Sequence, residues 1–304
     1  MTLKCGIVDV GSNTMRLSIY QWEGEKFRLL IHKKEMAGLA GYIQDGTMSS
    51  EGIECACGVL KQFQEILKNL NVHDMYVFGT APLRNITNTE TALDVIRSVT
   101  GLDVDVLSGA QEAHYSFVGA TSCSDMRGSG LLTDIGGGST ELVSYENGVV
   151  TSECSLAIGS LSLHTTYVNG LFPTKAERKS IKERIRQELE FSKDAGIACH
   201  HLVGVGGTIR AAAKLCDAQV DGESHRRILL ASDVKRLYKM LKNGDRNALQ
   251  HILKTVPDRI HTVVPGLAIL KTICKEYEVE TISVSTCGVR EGYLLEKVMG
   301  GQKK

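Results

Sequence analysis

Three short stretches carry the residue types that handle phosphate. Residues 9–14 read Asp-Val-Gly-Ser-Asn-Thr, residues 134–140 read Asp-Ile-Gly-Gly-Gly-Ser-Thr, and residues 204–208 read Gly-Val-Gly-Gly-Thr. Glycine lets a backbone N–H approach an anion with no Cβ in the way. Successive N–H groups in a tight turn form a nest for phosphate oxygens, and hydroxyl and amide side chains add donors. On that logic Gly136, Gly137, Gly138 and Ser139 form one phosphate cradle, and Ser12 and Asn13 form a second. Gly207 and Thr208 form a third, at the start of a helix whose N-terminus attracts anions. One glycine turn alone is more often a structural hairpin; three at strand ends point to a ligand. No Lys-Ser/Thr pair follows the glycines, so none of the three is a Walker loop.

Asp9 and Asp134 open the first two turns. A carboxylate beside phosphate is repelled unless a cation bridges the two or the carboxylate orients a water. Mg²⁺, or another divalent cation, does the former with few carboxylates and several waters. Asp9 and Asp134 are therefore candidate metal ligands and candidate catalytic groups. The chemistry they suggest is phosphoryl transfer, in which positioning and charge stabilisation carry most of the catalysis.

The elements that must hold these turns follow from periodicity. Residues 4–9 read as a buried strand, and 15–22 and 26–34 as two more. Ser49 or Ser50 caps a helix to about residue 70, with Ile53, Cys57, Leu60, Phe63, Leu67 and Leu70 at helical spacing. A strand at 75–80, a helix at 89–101 ended by Gly101, a short strand at 104–107 and a helix at 110–120 complete the first half. The polar, glycine-bearing stretch 122–130 reads as a hinge. The second half opens as the first does, with a strand ending in Asp134, a small-residue turn and a further strand. A charged helix near 174–195, a strand, glycine turn and helix over 201–215, a helix over about 258–277, a strand at 281–285 and a last helix follow. This internal echo implies two similar α/β halves facing each other across a phosphate-binding cleft. The domains expected are 1–122 and 123–304, and the last helix, about 288–300, is a candidate to pack back on the first domain.

The bulk numbers narrow the partners. Length of 304 residues suits two domains. Lys+Arg and Asp+Glu both total 35, which argues against a protein that lives on nucleic acid or on a membrane surface. The N-terminal apolar run is short and broken by Asp9, unlike a signal peptide, and no run approaches a membrane span. The nine cysteines are scattered without a Cys-x-x-Cys pair, which reads as reduced thiols in a cytoplasmic protein. Lys175, Arg178, Lys179 and Lys182 lie on the charged helix, either as a solvated face or as the border of a polyphosphate path.

The ordered strings resemble one family. Residues 7–17, "IVDVGSNTMRL", resemble the first phosphate motif of the exopolyphosphatase / guanosine pentaphosphate phosphohydrolase family, within the actin, Hsp70 and sugar-kinase superfamily. "TAPLRNITN" (80–88), "LSGAQEAHYSFVGA" (107–120), "DIGGGSTEL" (134–142), "GVGGT", "VPGLAIL" (264–270) and "GVREGYL" (288–294) follow in order. The resemblance implies two ribonuclease H-like, actin-like ATPase domains. It implies release of terminal orthophosphate from inorganic polyphosphate, or cleavage of the 5′-terminal phosphate of guanosine pentaphosphate. It makes Glu112 the general base for water, with Asp134 and Asp9 assisting, and gives Arg84 and Arg16 to phosphate charge. Where the family often has two glutamates this chain has Gln111 and Glu112. Where the family tends to place an aspartate this chain has Thr286. The chain looks like the short two-domain form, for which a homodimer is an expected state. Glu141 reads as a structural group on the strand after the turn, and Arg290 with Glu291 as a pair at the last helix. An acceptor-dependent kinase or a non-catalytic phosphate sensor are the competing classes.

Overall fold

The computed structural model describes residues 3–24, 26–124, 126–191, 199–218 and 227–301. Residues 192–195 of the expected charged helix and Asp125 of the expected hinge lie outside the described residues. The chain forms two compact units. The first comprises Met1–Glu112 and Tyr293–Lys304, and the second Ala113–Gly292.

The first unit is built on β1 (Leu3–Val10), β2 (Met15–Glu23) and β3 (Lys26–Glu35), three antiparallel strands in sequence. A small hairpin, β4 (Ile43–Gln44) and β5 (Thr47–Met48), leads into helix α1 (Ser50–Asn69). Next come β6 (Asp74–Gly79), the single turn α2 (Ala81–Arg84), α3 (Thr89–Thr100) and β7 (Val104–Val106). The sheet order is β3-β2-β1-β6-β7, with β6 and β7 parallel to β1. β1 runs through the middle, and Cys5, Ile7 and Val8 are fully buried. That explains its continuous rather than alternating apolar character. Ser49 accepts the Gly52 N–H at 3.3 Å and starts α1. The helix then buries Ile53, Ala56, Cys57, Leu60, Phe63 and Leu67 along one stripe. It approaches β1 so closely that a Cβ on Gly6 would lie 2.7 Å from Leu67. Gly101 closes α3 at φ 72°, a conformation glycine adopts without strain.

Helix α4 (Gly109–Thr121) begins in the first unit and continues into the second. There follow β8 (Ser129–Ile135), β9 (Thr140–Glu146), β10 (Val149–Leu156), α5 (Ser160–Tyr167), α6 (Lys175–Phe191), β11 (His201–Val205), α7 (Gly206–Asp217), β12 (Ile228–Leu230), α8 (Ala231–Leu241), α9 (Arg246–Thr255), α10 (Val263–Glu276), β13 (Thr281–Val284) and α11 (Val289–Tyr293). The sheet order is β10-β9-β8-β11-β13-β12. Its first five strands repeat the first unit strand for strand: three consecutive antiparallel strands, then two parallel ones, with β12 added antiparallel at the edge. Even the register repeats. Asp9 faces Arg16 across the first hairpin, and Asp134 faces Glu141 across the second. The duplication read from the sequence is thus a duplication of the mixed α/β fold.

Two differences from the sequence expectations have local causes. The units divide at Glu112/Ala113 inside a helix rather than at 122/123. The 122–130 stretch is held within the second unit, where Gly128 and Asn147 exchange hydrogen bonds, Asn147 Oδ1 accepting the Gly128 N–H and the Gly128 carbonyl accepting the Asn147 N–H. The expectation of uniformly reduced thiols is corrected as well. Cys123 and Cys287 are joined as a disulfide with Cα atoms 6.1 Å apart, while the other seven cysteines are free. Residues 164 positions apart carry no local signal of pairing; only the packing of α4 against the 287–292 segment brings them together. Among the described residues no helix is long and apolar enough to cross a membrane.

Candidate active site

The two aspartate turns are built alike. In the first, the Gly11 N–H donates to the Thr14 carbonyl at 3.2 Å; in the second, the Gly136 N–H donates to the Ser139 carbonyl at 3.0 Å. In each, neighbouring segments take up the turn carbonyls. Ala40 and Gly38 donate to the carbonyls of Ser12 and Asn13, both at 3.0 Å. Ser160 donates to the Gly136 carbonyl, and Leu161 and Ser162 to that of Gly137, all at 2.9 Å. A planar trans peptide sets each following N–H on the opposite side from its carbonyl. Among the described residues, the N–H groups of Ser12, Asn13, Gly137 and Gly138 donate to no backbone carbonyl. Each turn therefore offers a row of donors on one side and is tied down on the other. The first turn of α5 is occupied by these carbonyls, and Gly159 must lack a side chain because a Cβ there would strike Gly137.

Asp134 is half-buried at the end of β8. Ser116 on α4 donates to its Oδ2 at 3.0 Å. Gly206, at φ 89°, packs against its Oδ1 so closely that a Cβ would fall on that oxygen. Glu141, the cross-strand partner of Asp134, is 1% exposed, and its Oε1 accepts from Ser155 at 2.8 Å. Directly opposed residues share a face of the sheet. Two carboxylates side by side suit Mg²⁺, which takes one or two carboxylates with phosphate oxygens. Asp9, by contrast, has the guanidinium-bearing Arg16 as its cross-strand partner, which leaves less room for a second cation. Among the described residues no group of three or more acidic, His or Cys side chains forms a metal cage.

The third turn opens α7. Its Thr208 hydroxyl is buried and has no hydrogen-bond partner. Over Gly207 lies the guanidinium of Arg259, at the position a Cβ would occupy. Burial, then His164 and Arg259, lower the pKa of the neighbouring His261.

In the first unit, Arg84 holds Glu112. Nη1 donates to Glu112 Oε2 at 2.7 Å and to the Leu107 carbonyl at 3.0 Å. Glu112 is 8% exposed in the first turn of α4. Its neighbour Gln111 is used elsewhere: Gln111 Oε1 accepts the Ser108 N–H at 2.9 Å, and Ser108 Oγ accepts the Gln111 N–H at 3.1 Å. This reciprocal capping box starts the helix and leaves Glu112 as the acid of the pair. Ser116 lies one turn further along the same helix.

The expected residues fall into these groups: Ser12 and Asn13 with Asp9; Gly136, Gly137, Gly138 and Ser139 with Asp134; Gly207 and Thr208 at α7; Arg84 with Glu112. Sequence reasoning missed Arg259 and set Glu141 aside. The hairpin register could have revealed Glu141, since positions 134 and 141 are symmetric about the turn. Nothing local marks Arg259. Glu291 accepts the Gly288 N–H at 2.8 Å and so caps α11. Thr286 is exposed beside Cys287.

A family model described as the Ppx/GppA phosphatase family matches residues 18–300. A guanosine-5′-triphosphate,3′-diphosphate pyrophosphatase of Vibrio parahaemolyticus is 27% identical over 301 residues, 96% of this chain and 58% of that protein. The chain thus spans little more than half the length of that relative. An exopolyphosphatase structure from Cytophaga hutchinsonii superposes with TM-score 0.86 at 25% identity, covering 98% of each chain. An Aquifex aeolicus member of the Ppx/GppA family superposes with TM-score 0.80 at 24% identity, covering 99% of each chain.

Proposed function

This chain belongs to the Ppx/GppA phosphatase family, and from that premise we propose that it hydrolyses the terminal phosphoanhydride of inorganic polyphosphate. The observation that carries the proposal is the turn built twice, each time with its carbonyls tied back and its N–H groups left to a ligand. Such donors fit phosphate oxygens, and the Gly207–Thr208 turn adds a helix N-terminus. Each unit carries a fixed positive charge suited to phosphate, Arg84 beside Glu112 in the first and Arg259 over the Gly207 turn in the second.

Glu112 is the general base in this scheme. Arg84 fixes its rotamer, and the carboxylate accepts a proton from water as the water oxygen bonds to the terminal phosphorus. The bridging P–O bond breaks, the shortened chain leaves with the bonding pair, and orthophosphate is released. A divalent cation held by Asp134 with Glu141 beside it would neutralise phosphate charge. Ser116 keeps Asp134 oriented.

Guanosine pentaphosphate is the second substrate reading, favoured by the activity for which the Vibrio relative is named. Both substrates present a terminal anhydride to the same donors. The test is phosphate release from short and long polyphosphate, guanosine pentaphosphate and ATP, with and without Mg²⁺, by wild type and Glu112→Gln. Release that depends on Glu112 supports the scheme, and the preferred substrate decides between the two. No release from any of the four overturns it.

A further inference from the structure

The formal charge of the chain is zero, yet one face of the second unit gathers cations. Helices α6, α8 and α10 pack together there. Arg178 on α6 donates to the Lys242 carbonyl just past α8 at 2.9 Å. Lys271 on α10 lies over the ring of Tyr238 on α8, 4.9 Å from its centroid. Burial lowers the pKa of Lys271, and the charges of Lys182, Lys235, Lys242 and Lys275 around it lower it further. Carboxylates frame the group without filling it. Glu183 meets Lys179 at 3.8 Å, Asp233 meets Arg236 at 2.8 Å, and Glu276 meets Lys275 at 3.5 Å and Arg186 at 4.0 Å. Among the described residues no carboxylate pairs with Lys182, Lys235, Lys242 or Lys271.

We propose that this face, centred on Lys271, binds a segment of linear phosphate chain away from the end being cleaved. Five ammonium groups around a half-buried stem repel one another, and an anion relieves that repulsion. Lys271 and Lys275 lie one turn apart on α10, about 6 Å along its axis, and Lys235 and Lys242 are about 10 Å apart by helical rise. That spread exceeds a single phosphate and suits several in a row. Lysine is a hydrated point charge on a flexible stem, which tolerates a chain that slides. Nucleic acid is the poorer fit, because stacking needs an open aromatic face and Tyr238 is already covered by Lys271. The choice of polyphosphate as the polyanion rests on the proposed function; the existence of an anion-binding face does not.

The test is direct binding of end-labelled long-chain polyphosphate, free of any turnover readout. Lys182→Glu, Lys235→Glu and Lys275→Glu are combined, since all three side chains are exposed and Lys271 is left in place. The expected result is at least a tenfold weaker affinity, a shallower dependence of log affinity on log salt, and an unchanged melting temperature. The matching Lys→Arg triple variant should restore binding. As a control for total charge, Lys61→Glu with Lys68→Glu on α1 should leave the affinity unchanged. The proposal is overturned if wild type fails to bind the long chain, if the triple variant binds as wild type does, or if the α1 variant loses as much. Equal affinity for duplex DNA, lost in parallel, also overturns it in favour of a nucleic-acid face. Because these arms read binding alone, a chain that hydrolyses nothing would still give a clear answer here.

Discussion

Gln111 and Glu112 stand side by side at the start of α4 and have different partners. Gln111 closes a capping box with Ser108, while Glu112 meets Arg84. Replacing Glu112 by Gln keeps the shape and removes the base. Turnover should fall about 10²–10⁴-fold with substrate affinity largely kept, which single-turnover kinetics and equilibrium binding would show. Gln111→Ala should do the reverse, lowering stability by about 1 kcal/mol through the lost cap and leaving kcat near wild type; a large kcat loss there would move the base to the cap. Gly206→Ala tests the other carboxylate. At φ 89° a side chain is strained, and its Cβ would displace Asp134. Phosphate release should collapse while circular dichroism stays that of a folded protein.

At the scale of elements, the two duplicated three-strand meanders, β6, β7, β11 and β13, and helices α1, α3 and α4 were legible, because each rests on local signals: apolar runs, 3.6-residue spacing, a Ser cap, a terminal Gly. The two- and three-residue strands β4, β5 and β12 are too short to carry such a signal. The turns themselves were legible too, since glycines and hydroxyl residues between two apolar runs mark a tight turn. What escaped depends on tertiary approach. Arg259 follows α9 in a short turn and reaches Gly207 only because α7 and α10 pack together. The Cys123–Cys287 pair is equally non-local. It ties the end of α4 to the residues before α11, next to Gly288, whose absent side chain leaves room beside Asp134. Thiol titration of the denatured chain without reductant should find the seven free cysteines, and nine after reduction. Nine in both conditions would show that the pair does not form. In the chain-entropy picture, closing so long a loop contributes about 5 kcal/mol.

For the whole molecule, the strand-for-strand repetition of two units is the feature most visible in the sequence, through the echo of Asp9 and Asp134. A pH dependence of stability belongs at this scale. His261 has its folded pKa lowered below the ordinary 6.5 by burial, His164 and Arg259. As pH falls through about 6.5 the unfolded chain takes the proton first, so the stability from neutral His261 is present above that pH and lost toward the lowered folded value. Denaturant midpoints between pH 7.5 and 5 should therefore drop more for wild type than for His261→Gln; parallel curves would assign the loss to other groups.

The segment from Tyr293 onward completes the first unit. Its tyrosine ring stacks on Phe78 at 5.0 Å, its hydroxyl donates to Asp105 at 3.3 Å, and Lys297 reaches the same carboxylate. The unit that the ribosome begins first is thus the one it finishes last. During synthesis the first sheet must wait, with the face around Phe78 uncovered, while the whole second unit is made and can fold. A nascent chain halted before residue 293 should protect the second unit from protease ahead of the first, an order opposite to the order of translation.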